Sequence, residues 1–193
     1  MKLYYAPGAC SLADHIVAAE GGLPLELEKV DLKTHTTETG ADYKAINPKG
    51  YVPALTLDDG GLLTENVAIL AYLGDKAGLM PGGIDRYHAL EWIGFLNSEI
   101  HKSFGPLFGK APEPEEDKAR RKIRDRLELV EKKLSGDYLM GGRFSPPDAY
   151  LFVMLRWCEK MGIDLSGLPR LSAFKDRMQA RPGVARALKE EGL

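Results

Sequence analysis

A small α/β domain followed by an all-helical domain is the architecture this sequence predicts, and three observations carry that prediction. Up to about Lys76, short apolar runs alternate with helical patterns. Gly78, Pro81, Gly82 and Gly83 then cluster and interrupt the chain. Beyond Ile84 the periodic stretches are helical throughout. The expected division is 1–77 for the first domain, 78–84 for a linker and 85–193 for the second.

Lys2 to Tyr5 predicts a first strand, and Ser11 to Glu20 a helix opened by a Ser11-x-x-Asp14 cap. Leu25 to Val30 predicts a second strand. Pro53 to Leu57 and Gly61 to Leu63, separated by Asp58-Asp59-Gly60, predict a hairpin. Thr64 is placed to cap the next helix, whose Val67, Leu70, Ala71 and Gly74 share a stripe. The order β-α-β, a long connection, then β-β-α, describes one crossover and one hairpin.

In the second part, Asp85 to Phe104 carries Leu90, Ile93, Asn97, His101 and Phe104 along one face. Glu115 to Leu134 turns Ile123, Leu127, Val130 and Leu134 inward. Ser145 to Glu159 differs, because Ala149 to Leu155 leaves no polar face and predicts burial on every side. Ser145, Pro146 and Asp148 form a strong local start signal for it. Leu171, Phe174 and Met178 mark another short helix, ended before Arg181-Pro182-Gly183.

The 193 residues are 44% hydrophobic and 28% charged, enough apolar content to bury a core. A formal charge of −2 leaves no basic excess to neutralise phosphates, which argues against nucleic acid. The run Lys118 to Lys122 is flanked by acidic residues and reads as a solvated face. The first residues break too early for a secretory leader, and no apolar run approaches ~18 residues, the length of a membrane span. Two cysteines, Cys10 and Cys158, are too few for a disulfide framework and fit a reducing cytoplasm. No spacing of His, Cys, Asp and Glu resembles a metal site.

Cys10 lies between a strand end and a helix start, where free N–H groups and the helix dipole favour an anion and would lower a thiol pKa. Ser11 and Tyr5 flank it and could donate hydrogen bonds to a thiolate. The residues alone fit equally a small buried side chain, with Ser11 a cap and Tyr5 a strand aromatic. If the Val52-Pro53 bond is cis, it turns the Val52 N–H and C=O outward to pair with an extended ligand. Glu65 and Asn66 open a helix that can hold a carboxylate, with Glu65 accepting from an ammonium; a dipole-complementing glutamate is the alternative. Gly94, Asn97 and His101 share an apolar stripe and form either a core hydrogen-bond cluster or a site wall. His15 and His88 have no such setting and read as surface or helix-packing residues, and Cys158 as inert filler.

Four stretches carry a family resemblance: Met1 to Leu12, Ala45 to Pro53, Leu63 to Ile69 and Ser98 to Lys102. In order and spacing they resemble the bacterial beta-class glutathione transferases, and Ser145-x-x-Asp148-Ala149-Tyr150 is similar to that family's folding motif. The resemblance implies a thioredoxin-like N-terminal domain, an all-helical C-terminal domain and a homodimer. It also implies glutathione as cosubstrate and a small hydrophobic electrophile as its partner. By the same resemblance, Cys10 lies beside the glutathione sulfur and can form a mixed disulfide with it, and Val52-Pro53 is cis. Glu65 and Asn66 take the γ-glutamyl head, while Asn97, Ser98, Glu99 and His101 contribute from the second domain. His35 stands where relatives often carry a lysine for the glycyl carboxylate. Gly94 replaces an asparagine that in relatives reaches across the dimer, and Asn97 is the candidate substitute. Cys10 and His101 are the expected catalytic pair, with Ser11 and Tyr5 secondary. The expected activity is conjugation; thiol exchange or peroxide reduction through Cys10 is the alternative, and a non-catalytic binding module the alternative of another class.

Overall fold

The computed structural model describes residues 1–193, and its internal contacts divide the chain into two units. Met1–Met80 together with Ala180–Leu193 form the first, and Pro81–Gln179 the second.

The first unit is built on a five-stranded sheet of order β3-β2-β1-β4-β5. Its strands are β1 (Lys2–Tyr5), β2 (Glu26–Asp31), β3 (Thr36–Thr37), β4 (Ala54–Thr56) and β5 (Leu62–Thr64). The crossover makes β1 parallel to β2, while β4 and the hairpin strand β5 run antiparallel. Leu3 sits in register with Leu27 on one side and Leu55 on the other, and both Leu3 and Leu55 are fully buried. Helices α1 (Ser11–Glu20) and α3 (Asn66–Lys76) pack together and bury Leu12, Ile16, Ile69, Leu70 and Leu73. Tyr4, one residue from Leu3, points to the opposite face under the period of two. There it joins Val30, Tyr43, Val52 and Ala54 in a second apolar cluster.

That second cluster explains two elements the sequence did not predict. The long connection holds β3 and the one-turn helix α2 (Tyr43–Ile46), which is nucleated where the Asp42 side chain accepts from the Lys44 N–H. Tyr43 anchors it, fully buried, its ring 5.6 Å from that of Tyr4. Two- and four-residue elements leave no periodic trace; burial of one tyrosine selects them.

A last helix, α9 (Pro182–Glu191), was also unexpected, and it packs on α1. Ala180–Leu193 therefore belongs to the first unit, whereas the sequence placed it in the second domain. The reason is a set of long-range polar contacts around a small-residue approach. A Cβ on Gly183 would meet Glu20 Oε1 at 2.6 Å, and the bare backbone N–H instead donates to that oxygen at 2.9 Å. Arg181 pairs with the same carboxylate. His15 is a buried helix-packing residue, its two ring nitrogens 2.7 Å from Glu190 Oε2 and 3.1 Å from Glu191 Oε1.

The second unit is helical. It comprises α4 (Gly83–Phe95), a π turn (Leu96–Ile100), a 3₁₀ turn (His101–Phe104), α5 (Gly105–Phe108), α6 (Glu113–Lys133), α7 (Pro146–Lys160) and α8 (Pro169–Gln179). The single helix expected over Asp85 to Phe104 thus changes pitch at Leu96. Such wide turns re-aim side chains and recur at functional sites. Helix α7 is buried on all sides as its composition requires, with Ala149 to Leu155 fully inaccessible. Its start is a complete capping box around Ser145 and Asp148. Asp148 Oδ2 accepts from both the backbone N–H and the hydroxyl of Ser145, and Oδ1 accepts from the Leu139 N–H, each at 2.8 Å. Asp148→Ala would strand two buried N–H groups, so it is expected to lower unfolding free energy by about 3 kcal/mol or more. Urea denaturation checks this; a loss below about 1 kcal/mol would move the anchor elsewhere.

No helix is long and apolar enough to cross a membrane.

Candidate functional site

The candidate residues assemble in two clusters, one in each unit. In the first unit, Cys10 is the N-cap residue of α1, with helical backbone angles and no side-chain cap bond, so the expected Ser11-x-x-Asp14 cap is absent. Ser11 is instead fully buried, where its Oγ accepts from the Ala6 N–H at 3.3 Å and donates to the Ala6 carbonyl at 3.4 Å. It closes the loop that presents Cys10. The same loop is held from α9, where Glu191 Oε2 accepts the Gly8 N–H at 2.8 Å.

The Cys10 thiol is 8% exposed, and its Sγ donates to the Val52 carbonyl at 3.5 Å. Burial pushes its pKa up to about 12, and the Asp14 carboxyl one turn along adds to the rise. The backbone N–H groups of Cys10 and Ser11 pull the other way and are outweighed. The helix start was expected to lower this pKa. Desolvation wins because the sulfur is almost wholly removed from water. Tyr5, at the end of β1, is likewise buried, and its phenol is raised by burial and by nearby Glu191 and Glu38.

Val52 is set by the loop before it. Asn47, 1% exposed, donates through Nδ2 to the Tyr51 carbonyl at 2.8 Å, which also accepts the Tyr43 hydroxyl at 2.9 Å. The Val52–Pro53 bond is cis, as the resemblance implies. His35 lies across Gly50, whose positive φ of 76° and missing side chain let the ring approach within 3.3 Å of a would-be Cβ. Its Nδ1 is buried without a hydrogen-bond partner.

At the start of α3 the expected Thr64 cap is replaced by Glu65, held at φ 75° with no side-chain cap bond. Its carboxylate Oε1 instead accepts from Lys49 Nζ and, at 2.6 Å, from the Tyr51 hydroxyl. The Asn66 side chain points inward, 7% exposed; with its amide turned so that nitrogen rather than oxygen meets the carboxyl, the nitrogen lies 2.7 Å from Asp14 Oδ2. What Asn66 leaves for a ligand is its backbone N–H.

In the second unit, the π turn brings Asn97 and His101 to one hydroxyl. Tyr150 is fully buried on α7; its OH donates to Asn97 Oδ1 at 3.0 Å and lies 2.6 Å from His101 Nδ1. Having one hydrogen, already given to Asn97, the phenol accepts from an Nδ1–H. That assigns the tautomer with Nε2 bare. Burial holds His101 down at about 4, so the ring is neutral near pH 7. Trp157 packs against it with centroids 4.9 Å apart, and Phe104 and Phe108 continue the aromatic cluster at 5.2 and 5.1 Å from Trp157.

Ser98 and Glu99 do not join this cluster. Ser98 lines a groove of about 320 Å³ with Lys102, Ser103, Lys118 and Lys122. Glu99 accepts from Arg126 Nε at 2.9 Å. Gly94 faces open space on α4. Asp14, Tyr150, Lys49, Tyr51 and Glu191 are the polar partners that residue-by-residue reading missed. Tyr150 alone left a signal, a hydroxyl on an otherwise apolar helix.

Two family models match the chain: Glutathione S-transferase, N-terminal domain, over residues 9–76, and Glutathione S-transferase, C-terminal domain, over 88–182. The sequence is 47% identical over 201 residues to glutathione S-transferase GstA of Escherichia coli O157:H7, covering 100% of both chains. A sphingomonad glutathione S-transferase solved in complex with glutathione is 46% identical, with a TM-score of 0.94 over 100% of both chains. The bacterial beta class glutathione S-transferase of Sphingomonas chungbukensis matches at 46% identity and a TM-score of 0.95, again over 100% of both.

Proposed function

The chain belongs to the glutathione S-transferase family and is a transferase that uses glutathione as cosubstrate; on that premise we propose how its own residues hold the tripeptide, activate the thiol and select the acceptor. The observation that carries the reading is the meeting of Cys10 Sγ and the Val52 carbonyl, 3.5 Å apart, at the start of α1. A sulfur site and a backbone pairing site in contact suit a cysteinyl residue lying extended. Glu65 takes the ligand's ammonium, sharing a carboxylate that has about four lone-pair positions. The first N–H groups of α3, which have no intrahelical acceptor, take the glutamyl carboxylate. His35 serves the glycyl carboxylate. A hydrogen on its buried, unpartnered Nδ1 would be an unsatisfied donor, which favours the tautomer with Nε2–H available to an anion.

Cys10, kept protonated by burial, turns its one S–H from the Val52 carbonyl, which the ligand's cysteinyl N–H then occupies, to the glutathione sulfur. His101 takes the thiol proton on its bare Nε2, leaving a thiolate and an imidazolium whose Nδ1–H stays on Tyr150. A ring at about 4 against a thiol near ~8.5 makes that transfer uphill by about 6 kcal/mol for isolated groups. The thiolate beside the imidazolium raises the ring's pKa and offsets most of this. The high Cys10 pKa favours conjugation over exchange through a Cys10 thiolate. The acceptor is a small hydrophobic electrophile. Phe108, 46% exposed at the edge of the Trp157 aromatic cluster, supports that class, whereas Phe104 and Leu107 are core. The protein works in the cytoplasm, where both cysteines stay reduced.

Conjugation of chlorodinitrobenzene and retention on immobilised glutathione test the reading together. A chain with neither property would not be a conjugating enzyme.

The working form is a homodimer. An apolar face supports it: Ile84 and Tyr87 on α4 are 68% and 65% exposed beside a cavity of about 410 Å³ lined by His88, Glu91, Trp92, Phe95, Leu129 and Lys133. Exposed apolar surface of this kind is a docking face. Analytical ultracentrifugation is expected to give twice the monomer mass, and Trp92→Glu, which buries a charge at that face, to give monomer. A wild-type chain that sediments as a monomer at micromolar concentration removes the dimer.

A further inference from the structure

Asp14 is a carboxyl that stability does not ask for. It is fully buried, one turn after Cys10 on α1, with the carboxylate of Glu191 as a like-charged neighbour. Burying a carboxyl without a cation costs more than an apolar side chain in the same place. Burial raises its pKa well above the usual carboxylate range, and the nearby Glu191 carboxylate adds to the rise. Its side-chain partner is specific. The Asn66 amide nitrogen lies 2.7 Å from Oδ2 and 3.3 Å from Oδ1. Asn66 is the first residue of α3, following Glu65 in its left-handed conformation.

We propose that Asp14 is a positioning residue for the glutamyl end of glutathione: by holding the Asn66 amide inward, it fixes the first turn of α3 so that its backbone N–H groups meet the ligand's α-carboxylate. This rests on the reading that α3 receives that carboxylate. A free asparagine side chain at this position would compete for the same N–H groups, as short polar side chains do at helix starts. Tying it to a buried carboxyl removes the competitor and leaves the N–H groups unpaired until the ligand arrives. The acid thus acts through Asn66 on ligand selection and touches no reacting atom.

The test compares glutathione with 4-aminobutyryl-cysteinyl-glycine, the same tripeptide without the glutamyl α-carboxylate, in chlorodinitrobenzene conjugation. Wild-type enzyme is measured first: if it does not prefer glutathione over the analogue, the placement of the carboxylate at α3 fails, and the present proposal with it. Given that preference, Asp14→Ala is expected to raise KM for glutathione about tenfold, the worth of one hydrogen bond to a charged group, with kcat within about twofold. The same substitution is expected to leave KM for the analogue within about twofold. Asp14→Asn, which keeps an acceptor for the Asn66 amide, is expected to restore the wild-type KM. If Asp14→Ala does not fold, Asp14→Leu reads the same link, because it fills the buried volume, offers the Asn66 amide no acceptor and leaves the asparagine side chain free to compete. An equal loss on both tripeptides, or a fall in kcat with KM unchanged, would overturn the proposal and leave Asp14 a structural residue.

Discussion

Replacing His101 by alanine is expected to lower turnover with glutathione and chlorodinitrobenzene by about a hundredfold or more, the usual worth of a positioned general base. The expectation follows from the state of the ring. Burial keeps it neutral, and the Tyr150 hydroxyl, committed to Asn97, leaves Nε2 as the bare nitrogen. Tyr150→Phe should cost less, about tenfold, since it removes the tautomer's anchor but not the base. The pH dependence has a defined sign. The folded pKa of about 4 lies below the ordinary 6.5, so the unfolded chain binds the extra proton in that window. Stability from this group is fully present above pH 6.5 and is lost as pH falls through about 4, a total of up to about 3 kcal/mol. Urea melts of wild type and His101→Phe across that window should differ in slope. Identical slopes would show that the ring is not held neutral, and wild-type turnover in His101→Ala would remove its catalytic role.

Both cysteines are expected to resist alkylation in the native chain. Burial pushes Cys10 and Cys158 each up to about 12, so at pH 8 about one thiol in 10⁴ is ionised. An ordinary cysteine with pKa ~8.5 is about a quarter ionised there, so native labelling should run about 10³-fold slower than that of a free thiol. Iodoacetamide followed by intact-mass measurement reads this directly, with two labels expected in the unfolded chain. Fast labelling of native Cys10 would establish a thiolate in the resting enzyme. It would then favour disulfide exchange over conjugation as the principal activity.

The legibility of the site followed the range of the interactions that build it. Cys10, Val52, Glu65 and His101 lie in contiguous motifs with ordered spacing, which is why the sequence offers them as candidates. Their ionisation does not follow from those motifs. A helix start argued for a low Cys10 pKa, and desolvation by packed neighbours reversed the sign. Asn66 was expected to help take the γ-glutamyl head, and Asp14, 52 positions earlier, draws its side chain inward. Ser98 and Glu99 stand beside His101 in sequence, yet the π turn sends them to a lysine-lined groove and an Arg126 ion pair.

By itself the sequence determined the two-part architecture, the parallel crossover and hairpin of the sheet, the buried α7 with its Ser145–Asp148 start, and the family. Each is written in apolar periodicity, local capping residues or motif order, all of which act over a few neighbouring positions. Only tertiary structure decided that α9 packs on α1, that α2 forms around Tyr43, and in which direction burial moves the pKa values of Cys10, Asp14 and His101. Those outcomes depend on the water displaced and the partners supplied by residues distant in the chain, and no local pattern encodes such burial.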